Sequence, residues 1–367
     1  MSLSKVLIIL LCFLSSPAFG QQGAPQVPPS PLAGSQSAST VDENHRIHLD
    51  VVVTDKSGNP VADLQQGDFT LLDDKQPKPI LSFRAINETS KEDAPPTQAI
   101  VLVDAVNSSF QLLGQQRLQL QQFLQKFGEQ LPMPMTLVFL ADTSAPVQLP
   151  TRNVKVLLAS LNASPIGLRI IGNSQGIYGA IDRARICRRA LQQLISYEKT
   201  QPGRKLLIWL SRGWPLLSGP GMTLQQTERD QETLFNIIVG WSRELREAHI
   251  TLYSIDARGT GDLGGTFYYE EFVKGVRATK QAQQGNLSLQ VLATQTGGRV
   301  ITMSNDVANA IAGCLLDAKA YYILSFESPP ADHPNEYHSL QIKIDRPKLI
   351  ARTSTGYYAQ PYKSAGR

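Results

Sequence analysis

Gly172, Asn173, Ser174, Gln175 and Gly176 match the G-x-S-x-G spacing of a nucleophile elbow. In that motif a serine sits on a sharp strand-to-helix turn with its hydroxyl exposed for attack on an acyl carbon. A hydrolase of this kind needs an acid and then a histidine later in the chain. Asp256, closing the apolar run ITLYSID, and His333 or His338 supply that order. Three features weigh against it. No HGGG-type oxyanion segment precedes the serine, the strand before the elbow would be only LRII, and both histidines fall in a β-rich tail. The pattern is also permissive in a chain with 27 glycines. A Ser174 hydrolase therefore stands as the alternative reading. Asp55, Ser57 and Asn59 suggest a calcium loop, but the glycine at loop position six and the closing glutamate are absent, which leaves a plain turn. There is no CxxC, no HExxH and no clustered Cys/His set to hold zinc.

The elements that would position these residues follow from periodicity. RIHLDVVVTD alternates, with Ile47, Leu49, Val51 and Val53 on one face, and DFTLLDD and PILSFRAI are further strand candidates. From residue 97 the rhythm changes. TQAIVLVDA reads as a buried strand, Phe110 to Leu131 as a helix, and MTLVFLAD as a second strand. YGAIDRARICRRALQQLISYE, TERDQETLFNIIVGWSRELREA, LSLQVLATQTGG and NDVANAIAGCLLDA read as helices, separated by the strands GRKLLIWLS, HITLYSIDARG and RVITM. Strands alternating with crossover helices predict an open, mostly parallel Rossmann-like α/β sheet with helices on both faces. After Lys319 the chain is β-rich again, in AYYILSFES, YHSLQIKID and LIARTSTGYYA. Too few residues remain for an independent sandwich, so these strands are expected to pair with the N-terminal ones. The α/β domain is then inserted into a small split β-sandwich. The expected divisions are a signal at 1–20, a linker at 21–44, the N-terminal sandwich strands at 45–95, the α/β domain at 96–318 and the C-terminal sandwich strands at 319–362.

Composition sets the outer bounds. The chain has 367 residues, 42% hydrophobic and 18% charged, enough for a sizeable core. A net charge of +4 gives no warrant for nucleic-acid binding. The cluster Arg183, Arg185, Arg188 and Arg189 lies in a helical pattern, reads as a solvated face and lacks interleaved aromatics. Lys5, the apolar run VLIILLCFL and the small residues of SSPAFG read as an export signal cleaved after Gly20. No later segment reaches the roughly 20 apolar residues of a transmembrane helix. The expected location is secreted or periplasmic. Residues 21 to 42, rich in Pro, Gln, Ser and Gly, read as a tether. Cys187 and Cys314 remain after cleavage. They either pair, a bridge worth about 4 kcal/mol in chain entropy, or stay as buried thiols on separate helices.

VLVDAVNSSF, LLIWLSRG, ITLYSIDARG, LATQTGGRVI and AYYILSF, in that order, resemble the von Willebrand factor A-like domains. With the upstream segment LDVVVTDKSGNPVADLQQGDFTLLDDKQPKPILSF and the tail ARTSTGYYA, the chain is similar to the acidobacterial secreted branch of that family, over residues 46 to 360. The resemblance implies a metal-ion-dependent adhesion site in which a first-strand D-x-S-x-S, a loop threonine and a later aspartate hold a divalent cation for a partner's carboxylate. Hard cations take oxygen ligands, and open α/β sheets bind at their carboxyl ends. Here Asp104 matches the leading aspartate and Ser108 the second serine. Val106 replaces the first serine, Gln175 falls at the threonine and Arg212 at the aspartate. A guanidinium cannot ligate a cation. At about 5 Å from a divalent ion it would cost on the order of 6 kcal/mol at an effective dielectric of 20.

The site is therefore expected to be degenerate, with Arg212 replacing the metal and pairing with Asp104, or with Asp104 merely capping the first helix. Mg²⁺ or Mn²⁺ is the cofactor only if the site still binds. Asn107, Gln175, Arg212 and Trp214 form the expected binding rim, and the aromatics at Phe267, Tyr268, Tyr269 and Phe272 in the long stretch after Asp256 form a second candidate contact surface. The leading expectation is a non-catalytic binding or adhesion protein for a protein or cell-surface partner. A structural envelope or assembly component is a further alternative.

Overall fold

Buried strands that read as unbroken apolar runs must lie inside a parallel sheet, and those with one apolar face must lie at a sandwich or edge. Both kinds occur here. The protein is described by a computed structural model, which describes residues 45–87, 90, 95–141, 149–163, 176–218, 226–256, 268–302 and 304–362.

Strand β1 (Arg46–Thr54) turns Ile47, Leu49, Val51 and Val53 inward. β2 (Phe69–Asp73) and β3 (Gln76–Lys78) form a hairpin through Asp74 and Lys75, at φ 46° and 68°, the left-handed pair that a two-residue turn requires. β4 (Ser82–Ile86) precedes β5 (Thr97–Asp104), which is apolar from Ala99 to Val103. Helix α1 (Phe110–Gln125) is started by Ser109, whose hydroxyl accepts the Leu112 N–H at 3.3 Å. It stops at Gln125, short of the predicted Leu131. Gly128 takes a left-handed φ of 66°, and Leu131 already belongs to β6 (Gln130–Leu140), where Pro132 and Pro134 cannot donate to a helix. β7 (Thr151–Asn153), α2 (Val154–Ala163), α3 (Gly176–Glu198), β8 (Arg204–Leu210), α4 (Glu228–Glu247), β9 (Ile250–Ile255), α5 (Leu289–Gln295), β10 (Val300–Ile301) and α6 (Val307–Leu315) complete this region. The strands β11 (Tyr321–Glu327), β12 (Glu336–Ile344), β13 (Ile350–Arg352) and β14 (Gly356–Ala359) follow.

Six strands form one sheet in the order β10-β9-β8-β5-β6-β7, parallel except for the edge pair β6 and β7. Helices α3, α4 and α5 pack on one face, with Leu191, Leu234 and Leu292 in its core. Helices α1, α2 and α6 cover the other, with Leu120, Leu157 and Ile311. Two four-stranded sheets, β13-β1-β11-β4 and β14-β12-β2-β3, mix strands from both ends of the chain. They close on Leu49, Phe69, Leu71, Leu324 and Tyr357.

Cys187 and Cys314 are both free and buried. They sit in opposite cores, one on each face of the six-stranded sheet, so the disulfide considered from composition does not form. The sheet itself separates the two sulfurs.

A buried polar seam joins β1 and β13 to the parallel sheet. His249 Nδ1 lies 3.2 Å from Asp50, and the Arg204 guanidinium donates to the Asp317 carbonyl at 2.7 Å. Tyr253 donates to Asp317 at 2.7 Å, and Arg352 meets both Asp317 oxygens at 2.8 Å.

Candidate functional site

In a doubly wound sheet the crevice opens where neighbouring strands send their crossovers to opposite faces. Here that point lies between β5, followed by α1, and β8, followed by α4, at their carboxyl ends. Asp104 ends β5, and Ser211 follows β8.

Asp104 is fully buried and held by protein donors on both oxygens. Oδ1 accepts the backbone N–H groups of Val106 at 2.9 Å and Asn107 at 3.0 Å. Oδ2 accepts the Asn107 side-chain amide at 2.8 Å, the Ser211 hydroxyl at 2.8 Å and the Trp209 indole at 3.2 Å. A carboxylate offers about four lone-pair sites, so these five donors saturate it. Ser211 in turn accepts the Gly213 N–H at 3.1 Å, which fixes the turn after β8. The cap of α1 is Ser109, not Asp104.

The bend after β8 decides the place of Arg212. Ser211 is turned in onto Asp104 and accepts the Gly213 N–H, and Arg212 between them is left on the outside of the bend. Arg212 is exposed and is not among the groups hydrogen-bonded to Asp104. The guanidinium that shares the field of Asp104 is Arg183, only 9% exposed. Burial lowers its pKa and Arg212 repels it further, while Cys187 and Asp104 pull the other way. The solvated-face reading of the basic cluster thus holds for the exposed Arg185 and Arg189 but not for Arg183. Arg188 is half-buried and donates to Gln284 at 2.5 Å. Periodicity carries the missed signal: Ala180, Arg183, Ala184, Cys187 and Leu191 form the inward stripe of α3, where small neighbours leave room for a guanidinium.

Cys187 lies 3.9 Å from Asp104 Oδ2, and its Sγ also takes the Asn107 amide at 3.0 Å. Burial, then the Asp104 charge, pushes its pKa well up. It is a packed thiol, not a nucleophile.

Of the expected rim, Asn107 is half-buried and bonded to Asp104, and Gln175 lies outside the described residues, as does Ser174. Trp214 is not on a rim. It is 4% exposed and packs edge-on against Trp209 at 5.0 Å, because the turn at Ser211 and Gly213 folds it back over the sheet. Tyr269 and Phe272 are likewise buried, packed with Val291 beneath short 3₁₀ turns, so they are core and not a contact surface. Phe267 lies outside the described residues.

A divalent cation fits this donor set poorly. Ser108 offers a buried hydroxyl with no hydrogen-bond partner among the described residues, but Asp104 has no oxygen to spare, Val106 supplies none, and two guanidiniums stand nearby.

The two candidate histidines of the elbow reading lie on and beside β12. His338 lies on β12 with Nδ1 2.9 Å from Asp73, and Asp73 also accepts the Tyr357 hydroxyl at 3.0 Å. Asp73, Asp74 and His338 could in spacing hold a metal. However, Asp74 is already engaged by Ser339 at 2.8 Å and Arg277 at 3.2 Å, and the group reads as a latch between the β2–β3 turn and β12. His333 is exposed, its Nδ1 3.2 Å from the Pro334 carbonyl. Asp55 accepts the N–H groups of Ser57 and Asn59 at 2.8 and 2.9 Å, the turn expected in place of a calcium loop.

No family model matches the sequence, and no curated protein matches it. Among solved structures, the chain is similar to proximal thread matrix protein 1 from the mussel byssus, with a zinc-occupied MIDAS motif, at 15% identity and a TM-score of 0.33, over 67% of this chain and 49% of that one. It thus spans about half the length of the mussel protein. It is similar to a von Willebrand factor type A protein from Catenulispora acidiphila at 10% identity and TM-score 0.33, over 88% and 77% of the two chains. The manganese-loaded TRAP protein of Plasmodium vivax aligns at 8% identity and TM-score 0.32, over 78% and 100%.

Proposed function

We propose that the protein is a non-catalytic binding protein, secreted or periplasmic, whose A-like α/β domain is inserted in a β-sandwich and recognises an acidic protein or cell-surface partner without a bridging metal. The observation that carries this reading is the saturated Asp104 carboxylate with Arg183 buried in its field and Arg212 exposed above it. In a metal-dependent site the cation faces the partner's carboxylate. Here a buried guanidinium supplies that positive charge, and the exposed Arg212 is the side chain proposed to meet a carboxylate at the mouth of the crevice. Export rests on the N-terminal signal pattern of residues 1–20. Among the described residues no helix is long and apolar enough to cross a membrane.

The catalytic alternative requires an imidazole at Ser174, which lies outside the described residues; of its two candidate histidines, His338 on β12 is engaged with Asp73. The test is binding of the full chain to immobilised peptides bearing Asp or Glu, against their amide counterparts, with and without chelator. Binding to the acidic set that survives chelation and is lost in Arg212→Glu supports the reading. Binding that needs a divalent cation, or that ignores Arg212→Glu, contradicts it.

A further inference from the structure

Away from the Asp104 centre, a cleft of about 600 Å³ opens between α4 and the β1–β14 side of the sandwich. Its charge follows from two periodicities. Alternation on β1 turns Ile47 and Leu49 into the core and leaves Arg46 and His48 outward. On α4, Val239, Arg243 and Arg246 recur at i, i+4 and i+7 and share the face that lines the cleft. His45 and His249 line it as well. Its one carboxylate, Glu247, lies 2.6 Å from Lys199 and 3.9 Å from Arg243.

Arg246 differs from its neighbours. Its one described hydrogen bond is a long one, Nη1 to the Ser242 carbonyl at 3.4 Å, and it makes no ion pair among the described residues. It also lines the two smaller hollows that adjoin the cleft. Burial lowers its pKa to about 10. Arg246 is half-buried, and Glu247 attracts it without forming an ion pair among the described residues; a partly desolvated guanidinium that is not tied into an ion pair keeps donors for an anion that arrives with a ligand.

We propose that this cleft binds a small ligand through a tetrahedral oxyanion, a phosphate or sulfate monoester, with the half-buried Arg246 as the anchor and the exposed Arg46 and Arg243 at the rim. Donors approach from a strand on one side and a helix on the other, which suits an anion with three free oxygens better than a planar carboxylate. The volume lies in the range of small-molecule pockets, and the half-buried Tyr358 in its lining offers a surface for a ring attached to the ester.

The test is calorimetric titration of the full chain at low ionic strength with inorganic phosphate, inorganic sulfate, glucose 6-phosphate and glucose 6-sulfate. One-to-one binding is expected. Arg246→Gln should weaken it roughly tenfold or more, the loss of a hydrogen-bonded charge. Arg46→Gln, at an exposed strand position that leaves the core untouched, should weaken it several-fold and decides the matter if the Arg246 variant does not fold. Arg185→Gln, on the exposed face of α3, should leave it unchanged. Preference within the phosphate and sulfate pairs identifies the source of the oxyanion. Absence of binding for all four probes, binding indifferent to Arg46→Gln, or equal loss in Arg185→Gln would overturn the proposal.

Discussion

At the scale of single residues, Asp104 is the best-connected polar group of the crevice, and its role is first structural. Replacing it by alanine strands the buried Ser211 hydroxyl and Trp209 indole and removes a negative charge that attracts Arg183. Asp104→Ala is therefore expected to destabilise the fold by about 3 kcal/mol, read as a lowered urea midpoint at unchanged slope. A loss under ~1 kcal/mol would mean that the donors find water instead. The two cysteines give a second check. Both sit in closed cores, so thiol reagents should label Cys187 and Cys314 only after denaturation, and reductant should leave the melting temperature unchanged. Asp104 was legible in the sequence through the resemblance of VLVDAVNSSF, an apolar run closed by an acid, to the first-strand motif of the A-like domains. Arg183 was not. Four arginines in seven positions look like a solvated face by composition, and only the helical stripe through Ala180, Ala184 and Cys187 separates the inward one. Trp214 escaped for another reason: its burial depends on a turn held by Ser211, a contact between residues that periodicity does not describe.

At the scale of elements, the seam between β1 and the parallel sheet makes stability depend on pH. The Asp50 hydrogen bond raises the pKa of His249, with burial opposing. Burial pushes Asp50 up, but the His249 bond and charge, with Arg204, hold it below the ordinary value. The contribution of His249 is full below its unfolded value of about 6.5 and is lost as pH rises through its higher folded value. That of Asp50 is present above about 3.9 and is lost as pH falls. The seam is firmest between those limits. Melting temperatures from pH 5 to 8 should fall faster for the native chain than for His249→Gln, and parallel curves would show that the pair contributes nothing. Element types were readable because periods of two and 3.6 are local. The end of α1 was less so: the apolar spacing continues to Leu131, and the left-handed Gly128 and the prolines of β6 override it.

At the scale of the whole molecule, the sheet order β10-β9-β8-β5-β6-β7 puts β5 and β8 side by side and brings Asp104 and Ser211 to one crevice. The sandwich sheets draw strands from residues 46–86 and 321–359, so the two ends of this region are tied together and the α/β domain is anchored at both its entry and its exit. Alternating elements made the parallel sheet legible. The chemistry at its carboxyl end was legible only as a set of matched and mismatched positions, because a ligand set is a matter of distances and not of residue types. On the proposed reading, protein donors and a buried guanidinium have taken the place of a divalent cation at Asp104. Calorimetric titration of the full chain with Mn²⁺, beside Asp104→Ala, is the sharpest test of that substitution. No heat above the buffer control is expected in either sample. Saturable one-to-one binding that vanishes in the variant would contradict it.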